Sequence, residues 1–90
     1  ATLTGPVRQM WKAVFSPDGR RVAAVSADGS AQLWEVAGGR ALPVLRGHTD
    51  QAWGVAFLPD GDGLVTGSWD GTARLWGVSV AELAHRRRGR

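Results

Sequence analysis

The sequence contains no cysteine among its 90 residues. That absence excludes disulfide staples, thiolate catalysis and cysteine-based metal sites. The sequence also contains no glycine-rich phosphate loop and no apolar run long enough to cross a bilayer, and we expect no secretory leader. Only two histidines are present, and no plausible third ligand lies beside either. We therefore expect no metal, no cofactor, no membrane contact and a cytoplasmic location.

Lysine is also scarce, and the positive charge is concentrated at one end. The formal net charge is +3, but Arg86, Arg87, Arg88 and Arg90 lie within the last five residues and the remainder is near neutral. No aromatic residue interrupts this basic run, so we expect at most phosphate contact rather than specific nucleic-acid binding. Ten arginines accompany one lysine, Lys12, a bias typical of GC-rich genomes that favours a bacterial source.

The residues that are present repeat at a period of 42, the separation of Trp11 from Trp53. A repeat of this length indicates a solenoid or a propeller, because each unit can bury its apolar face only against a neighbouring unit. The first-copy residues that recur include Leu3, Gln9, Trp11, Phe15, Pro17, Asp18, Gly19, Ser26, Asp28, Gly29, Ala31, Leu33, Trp34 and Val36.

Each copy predicts four short β-strands. Pro-Asp-Gly sequences close the first strand of each copy, and Asp28-Gly29 and Asp70-Gly71 predict type I′ hairpins between the second and third. A fourth strand is expected at about 40–46, with its counterpart at about 81–88, and only 80–85 could hold a helix. The other predicted strands are 10–16, 21–27 and 30–36 in the first copy, and 52–58, 63–69 and 72–78 in the second.

The second copy resembles a WD40 repeat, the blade unit of β-propellers. The resemblance rests on Gly47-His48, Phe57-Leu58-Pro59-Asp60-Gly61, Ser68-Trp69-Asp70-Gly71-Thr72 and Ala73-Arg74-Leu75-Trp76. The first copy is similar, although Pro6 stands where the family has its histidine. In neither copy is the final tryptophan followed by the family's aspartate; Glu35 follows it in the first copy and Gly77 in the second. The resemblance implies an all-β fold of two four-stranded antiparallel blades, with the propeller ring incomplete in one chain. We expect repeats at 7–48 and 49–90, preceded at 1–6 by the end of another blade's outer strand.

In this family a histidine, a serine, an aspartate and a tryptophan form a buried hydrogen-bonded tetrad. The resemblance assigns these roles to His48, Ser68, Asp70 and Trp76 in the second copy, and to Ser26, Asp28 and Trp34 in the first. Because Pro6 offers no side-chain donor, Asp28 must find other partners. We expect the outer end of the first blade to be looser by roughly 1–3 kcal/mol, the worth of hydrogen bonds to charged groups.

The second copy also contains the three residue types of a hydrolase triad, in Ser68, His48 and Asp70. A nucleophile needs exposure beside an oxyanion hole, whereas this trio belongs to the packing of the blade. Ser26 and Asp28 recur without a histidine, as structural residues do. We therefore expect no enzymatic activity.

Because no catalytic or metal site is expected, the candidate functional residues are those on the surface that could bind a partner. In WD40 propellers partners usually dock on one face, and the matching positions here are Trp69, Gln51, Trp53, Gln9, Trp11 and Ala27. Trp69 is either an interface anchor or a residue packed on the adjacent blade, whereas the recurrence of Trp11 and Trp53 favours a shared structural role. The resemblance implies a protein-interaction scaffold. The alternatives are a recognition module of a larger bacterial signalling enzyme of kinase or ATPase type, or nucleic-acid contact through the arginine-rich end.

Two blades cannot close a ring, because propellers typically contain about 4–8. The missing blades come either from a longer parent chain or from self-association of two to four chains. We favour the longer chain, because open-ended repeat arrays normally need capping and no cap is visible.

Overall fold

The computed structural model of the protein describes residues 2–4, 9–80 and 83. Six strands form there: β1 (Met10–Phe15), β2 (Arg21–Ser26), β3 (Ala31–Glu35), β4 (Ala52–Phe57), β5 (Gly63–Ser68) and β6 (Ala73–Gly77). They make two antiparallel sheets in the orders β1-β2-β3 and β4-β5-β6. The expected all-β fold is confirmed, and each strand lies within one residue of its predicted bounds. None of the described residues belongs to a helix long and apolar enough to span a membrane.

The prediction of four strands in each sheet is wrong for the described residues, which form three. Segment 40–46 runs beside β3 but makes only two isolated bridges, Ala31 with Leu45 and Trp34 with Ala41. Pro43 lies between these bridges and has no amide hydrogen, so it cannot continue a hydrogen-bonded ladder.

A buried glutamine side chain helps to hold this segment against the first sheet. Gln32 Nε2 donates to the Leu42 carbonyl at 2.6 Å. The counterpart segment 81–88 lies outside the described residues apart from Leu83, whose amide donates to the Ser79 carbonyl at 2.9 Å. That hydrogen bond joins residues four positions apart, as in a helical turn.

The hairpins between the second and third strands are not of the predicted type I′. A type I′ turn needs positive φ at both central residues, whereas only the glycines Gly29 (+86°) and Gly71 (+87°) have it here. In the first hairpin Gly29 N–H donates to Ser26 O at 3.1 Å, and Ser26 N–H donates to Ser30 O at 3.1 Å. This is a three-residue loop with glycine at the left-handed position, a common hairpin connection.

The core lies between the two sheets. Strand β4 packs against β1 and β2, so the second sheet covers one face of the first. The buried residues of this interface are Ala23, Val25, Ala31, Leu33, Leu42, Leu45, Ala52, Val55, Leu64, Trp76, Val78 and Leu83. Arg21 of β2 crosses the interface and donates to two backbone carbonyls of the second half, those of Val78 and Gly61.

Candidate functional site

A chain of hydrogen bonds links four side chains in the second sheet. Trp76 Nε1 donates to Thr66 Oγ1 at 2.9 Å, and Thr66 Oγ1 lies 2.7 Å from His48 Nε2. On its other side, His48 Nδ1 lies 3.1 Å from Asp70 Oδ2. The His48 and Trp76 rings meet edge to face, with centroids 6.5 Å apart and an interplanar angle of 71°.

One arrangement of protons satisfies every member of this chain. An ionised Asp70 can only accept, so His48 Nδ1 carries a proton and donates to it. With a neutral ring, His48 Nε2 accepts from the Thr66 hydroxyl, whose oxygen takes the Trp76 N–H. No polar atom of this hydrogen-bonded network is left without a partner, which is how polar groups are accommodated in a protein interior.

Hydrogen bonds converge on the Asp70 carboxylate from both sides of the hairpin. The Thr72 hydroxyl donates to Asp70 Oδ1 at 2.6 Å, and the amides of Thr72 and Thr49 donate at 2.8 and 3.0 Å. The Thr72 hydroxyl above all, with these amides and the His48 ring, holds the pKa of Asp70 well below its ordinary range, although partial burial acts in the opposite direction. Asp70 therefore stays ionised as the common acceptor of the hairpin.

The glycine before His48 is required by close packing. A Cβ at Gly47 would lie 3.0 Å from Trp76 Cη2 and 3.1 Å from the Arg74 guanidinium carbon. Glycine thus lets the Trp76 ring and Arg74 pass next to the backbone. This contact explains why residue 47 is a glycine.

The first sheet builds its hairpin differently. Asp28 Oδ1 accepts from the hydroxyls of Ser26 and Ser30 and from the Ser30 amide, and Arg46 Nη1 lies 3.6 Å from Asp28 Oδ2. Partial burial raises the pKa of Asp28, but the hydrogen bonds from Ser26 and Ser30 outweigh it, so the net pKa is lowered. The Ser30 contacts match those that Thr72 makes with Asp70, so the contacts that stand in for the missing histidine are those from the Ser26 hydroxyl and Arg46.

The tryptophan of the first sheet is separate from this cluster. Trp34 is buried, and its Nε1 donates to the Thr4 backbone carbonyl at 2.9 Å. The first copy has Ala24 at the position that Thr66 occupies in the second. Asp28 and Trp34 are therefore not joined by side chains as Asp70 and Trp76 are.

Comparisons with known proteins agree with this architecture. The family model of the WD domain, G-beta repeat, matches residues 1–35 and 39–77. A search of solved structures finds the crystal structure of the RRP9 WD40 repeats at a TM-score of 0.77 and 26% sequence identity. A search of curated proteins finds no match.

The chain belongs to the WD40 family. The match to the RRP9 structure covers 84% of this chain but only 24% of the other, so the chain spans about a quarter of that protein's structure. The two sheets are thus two blades of an unclosed propeller, the first formed by β1–β3 and the second by β4–β6. WD40 repeats generally serve as protein-interaction scaffolds, and the fold is typically non-enzymatic.

In the second blade the hydroxyl between histidine and tryptophan comes from Thr66, and Ser68, the residue expected there, has another role. Ser68 Oγ donates a hydrogen bond to the Asp50 carbonyl at 3.1 Å and accepts one from the Asp70 amide at 3.0 Å. Ser26 Oγ likewise accepts the Asp28 amide at 3.1 Å. The serine that recurs in both WD40 repeats is therefore a residue of the hairpin turn.

A signal for Thr66 was present in the sequence. Thr66 is a hydroxyl residue inside an otherwise apolar strand, two positions before Ser68 and therefore on the same face. The first repeat lacks this threonine and also lacks the histidine. The two residues are absent together, as members of one hydrogen-bonded network are expected to be.

The residues expected to contact partners lie at one end of the two blades. Gln9 O accepts from the Ala27 amide at 3.1 Å, and Gln51 O accepts from the Trp69 amide at 3.0 Å. Trp11 and Trp53 lie at matching irregularities in the pairing of the first and second strands, between Met10 and Lys12 and between Ala52 and Gly54. We call the set Gln9, Trp11, Ala27, Gln51, Trp53 and Trp69 the tryptophan rim.

The three indoles of the tryptophan rim are exposed. Trp11, Trp53 and Trp69 are 55%, 53% and 65% exposed. The six-membered ring of Trp53 lies against the Gly67 backbone, where an added Cβ would be 3.5 Å from Cζ2. The irregularities in strand pairing at Trp11 and Trp53 turn these two large side chains out of the regular pleat.

Proposed function

We propose that the chain is a non-enzymatic protein-interaction scaffold and that its contact surface is the tryptophan rim. The observation that carries this proposal is Trp69, which is 65% exposed although its backbone is fixed by the hydrogen bond to Gln51. A large apolar side chain on a rigid hairpin is the kind of residue that supplies most of the binding energy in protein interfaces. Its partner is therefore a protein with an apolar pocket for an indole.

The neighbouring tryptophans support the same surface. Trp53 and Trp11 are exposed at equivalent positions of adjacent blades, so the rim extends across both. Contiguous exposed apolar groups on a soluble domain mark interaction sites. The alternative for Trp69, packing on a further blade, predicts a loss of stability rather than of binding when the ring is removed.

The absence of enzymatic activity is supported by the burial of the polar network. Thr66, His48 and Asp70 have the order of a catalytic triad, but Thr66 is 1% exposed and its oxygen already takes the Trp76 N–H. A nucleophile enclosed in this way cannot meet a substrate. No group of three or more metal-binding side chains occurs within the part of the chain that the structure describes.

We further propose that residues 7–48 and 49–90 are the two repeats and that 1–6 end the outer strand of another blade. The remaining blades then come from a longer chain or from other copies, and the setting is the bacterial cytoplasm. Neither a membrane nor a specific nucleic acid is part of this proposal. Arg86, Arg87, Arg88 and Arg90, which carry the nucleic-acid alternative, lie outside the described residues.

The test compares Trp69→Ala with Val80→Ala, a control at an 80% exposed apolar side chain outside the rim. Proteins captured from a bacterial lysate by the wild-type chain are identified first, and binding of each purified candidate is then measured. Trp69→Ala is expected to weaken binding by tenfold or more, roughly 1.4 kcal/mol, with an unchanged melting temperature. Unchanged binding, or a collapse of stability, overturns the assignment of Trp69.

A further inference from the structure

We propose that Trp69 and Asp50 together bind an arginine side chain of the protein partner, with the guanidinium stacked on the indole and its charge facing the carboxylate. The inference rests on the proposed function and deepens it, because it names the chemistry that the tryptophan rim selects in a partner. The arginine forms one wall of the apolar pocket that receives the indole.

Two hydrogen bonds place the Asp50 carboxylate beside Trp69. Asp50 Oδ1 accepts from the Gln51 amide at 2.7 Å, and the Gln51 carbonyl accepts from the Trp69 amide at 3.0 Å. The backbone of Asp50 is fixed as well, because its carbonyl accepts from the Ser68 hydroxyl at 3.1 Å. A single residue, Gln51, therefore separates the carboxylate from the backbone that carries the indole.

The Asp50 carboxylate has acceptor capacity left for a partner. Asp50 is exposed, and among residues 2–4, 9–80 and 83 no basic side chain forms an ion pair with it. The hydrogen bond from the Gln51 amide uses Oδ1 and leaves Oδ2 available. Because an ionised carboxylate has about four acceptor sites, it can receive a guanidinium N–H without losing the bond that fixes it.

Two further carboxylates lie close to Asp50 along the chain's own contacts. The hairpin that contains Asp28 packs directly on it, because a Cβ at Gly29 would lie 2.6 Å from Asp50 O. The amide of Thr49, the preceding residue, donates to Asp70 at 3.0 Å. Hydrogen bonds keep Asp70 ionised by lowering its pKa. This part of the surface therefore favours the approach of a cation.

The basic side chains of this region have other neighbours. Arg46 Nη1 lies 3.6 Å from Asp28 Oδ2, and the Arg74 guanidinium carbon lies 3.1 Å from the Cβ position of Gly47. Lys12 belongs to β1 of the first blade. An arginine of the partner thus meets a carboxylate that no described basic residue has already paired, as electrostatic complementarity between partners requires.

Arginine suits an indole and a carboxylate better than lysine does. Its planar guanidinium stacks on aromatic faces and presents a fork of N–H donors, whereas a lysine ammonium is a compact and strongly hydrated charge. Tryptophan is the aromatic side chain that attracts cations most strongly. Trp69 presents its ring to a partner, since it is 65% exposed.

The pair is specific to the second repeat. The first repeat has Ala27 where the second has Trp69, and Arg8 where the second has Asp50. The first blade nevertheless forms the same three-stranded sheet. Neither member of the pair is therefore needed to build a blade, and both occur together in one repeat, as expected of two residues that bind the same group.

The experiment follows the indole N–H resonances of the whole chain by NMR during titration with the peptide acetyl-Ala-Arg-Ala-amide. The matched probe has citrulline in place of arginine, which keeps the shape of the side chain but removes its charge. Trp69→Phe identifies the Trp69 resonance. The indole of buried Trp34, which donates to the Thr4 carbonyl, is the internal reference.

The arginine peptide is expected to shift the Trp69 resonance saturably and to bind at least about fivefold more tightly than the citrulline peptide. Asp50→Asn keeps an acceptor for the Gln51 amide but removes the charge, so this preference should fall by about threefold. Asp62→Asn is the matched control, because it removes the same charge at an exposed position of the turn between β4 and β5. It should leave the preference unchanged.

Equal binding of the two peptides by the wild type overturns the proposal. So does the lack of a saturable shift at Trp69 up to the solubility limit of the arginine peptide, or an Asp50→Asn variant that keeps the full preference. An equal loss in Asp62→Asn and Asp50→Asn also overturns it, since net charge rather than this site is then responsible.

The failure of this proposal is distinguishable from the failure of the scaffold function. If Trp69→Ala leaves binding of the protein partner unchanged, both proposals are wrong. If Trp69→Ala weakens that binding while Asp50→Asn changes neither its strength nor its salt dependence, the scaffold surface stands and the arginine contact alone is wrong.

Discussion

Thr66 carries two hydrogen bonds on one hydroxyl, and its removal should disconnect His48 from Trp76. Thr66→Val keeps the shape of the side chain but removes the hydroxyl that bonds to the Trp76 N–H and to His48 Nε2. We expect the free energy of unfolding to fall by about 1–3 kcal/mol, the usual cost of stranding a buried polar group. Urea denaturation measures this loss.

Ser68→Ala is the matched control for Thr66→Val. It removes a hydroxyl from the same strand, but one that pairs with Asp50 and Asp70 rather than with the indole. The Trp76 indole N–H resonance should shift in Thr66→Val and keep its position in Ser68→Ala. The same shift in both variants would contradict the assignment of Thr66 as the linking residue.

The Asp70 carboxylate makes stability depend on acidity. Its pKa is lowered in the folded state from the ordinary value of 3.8, so the unfolded chain takes up a proton first as the pH falls. The resulting stabilisation is fully present above that ordinary value and is lost as the pH falls through the lower folded value. Asp70→Asn should therefore lower the melting temperature at pH 7 and flatten its decline below about pH 4. An acid profile as steep as that of the wild type would contradict this role.

At the scale of the elements, the two hairpin glycines differ in what surrounds them. Gly29 and Gly71 have nearly the same φ, +86° and +87°, which disfavours any side chain. A Cβ at Gly29 would also lie 2.6 Å from Asp50 O and 2.9 Å from His48 O, whereas nothing lies within 4 Å at Gly71. The hairpin of the first blade thus packs directly on the segment that enters the second.

Alanine at the two positions separates backbone strain from packing. Gly71→Ala should cost about 1 kcal/mol, the penalty of the left-handed conformation alone. Gly29→Ala should cost at least about 2 kcal/mol more, because backbone atoms must move to relieve the overlap. Denaturation midpoints give the comparison, and equal losses would mean that the two hairpins are packed alike.

At the scale of the whole molecule, Arg21 joins the two blades by its bonds to Val78 and Gly61. Arg21→Ala should lower the free energy of unfolding by about 1.5–3 kcal/mol, as expected for hydrogen bonds from a charged group. It should also separate the unfolding of the two blades, so that tryptophan fluorescence and circular dichroism no longer change together. Arg20→Ala, at the neighbouring exposed position, should change neither quantity.

The fold was largely predictable from the sequence because it depends on local signals. The period, the Pro-Asp-Gly turns and the β-prone segments place six strands within one residue of their observed bounds. The fourth strand was not predictable in this way, since Pro43 interrupts the pairing that segment 40–46 would otherwise make with β3. The hairpin type was missed because Asp-Gly fits more than one turn, and φ at the aspartate selects between them.

The site was only partly predictable, because side-chain hydrogen bonds join residues far apart in the sequence. His48, Asp70 and Trp76 come together as the resemblance implies, but the hydroxyl that it assigned to Ser68, a residue that recurs in both repeats, comes from Thr66. A residue needed in every hairpin recurs in both repeats, whereas a residue needed in one network does not. Repetition is therefore a good guide to turns and a poor guide to a network that only one blade contains.

The sequence by itself determined the repeat, the strand positions and the family, because periodic apolar residues and turn residues act over a few positions. Only the tertiary structure decided that Thr66 links His48 to Trp76, that Arg21 joins the blades and which tryptophans are exposed. These properties arise from contacts between segments 10 to 57 positions apart, whose distances are fixed when the second blade packs on the first.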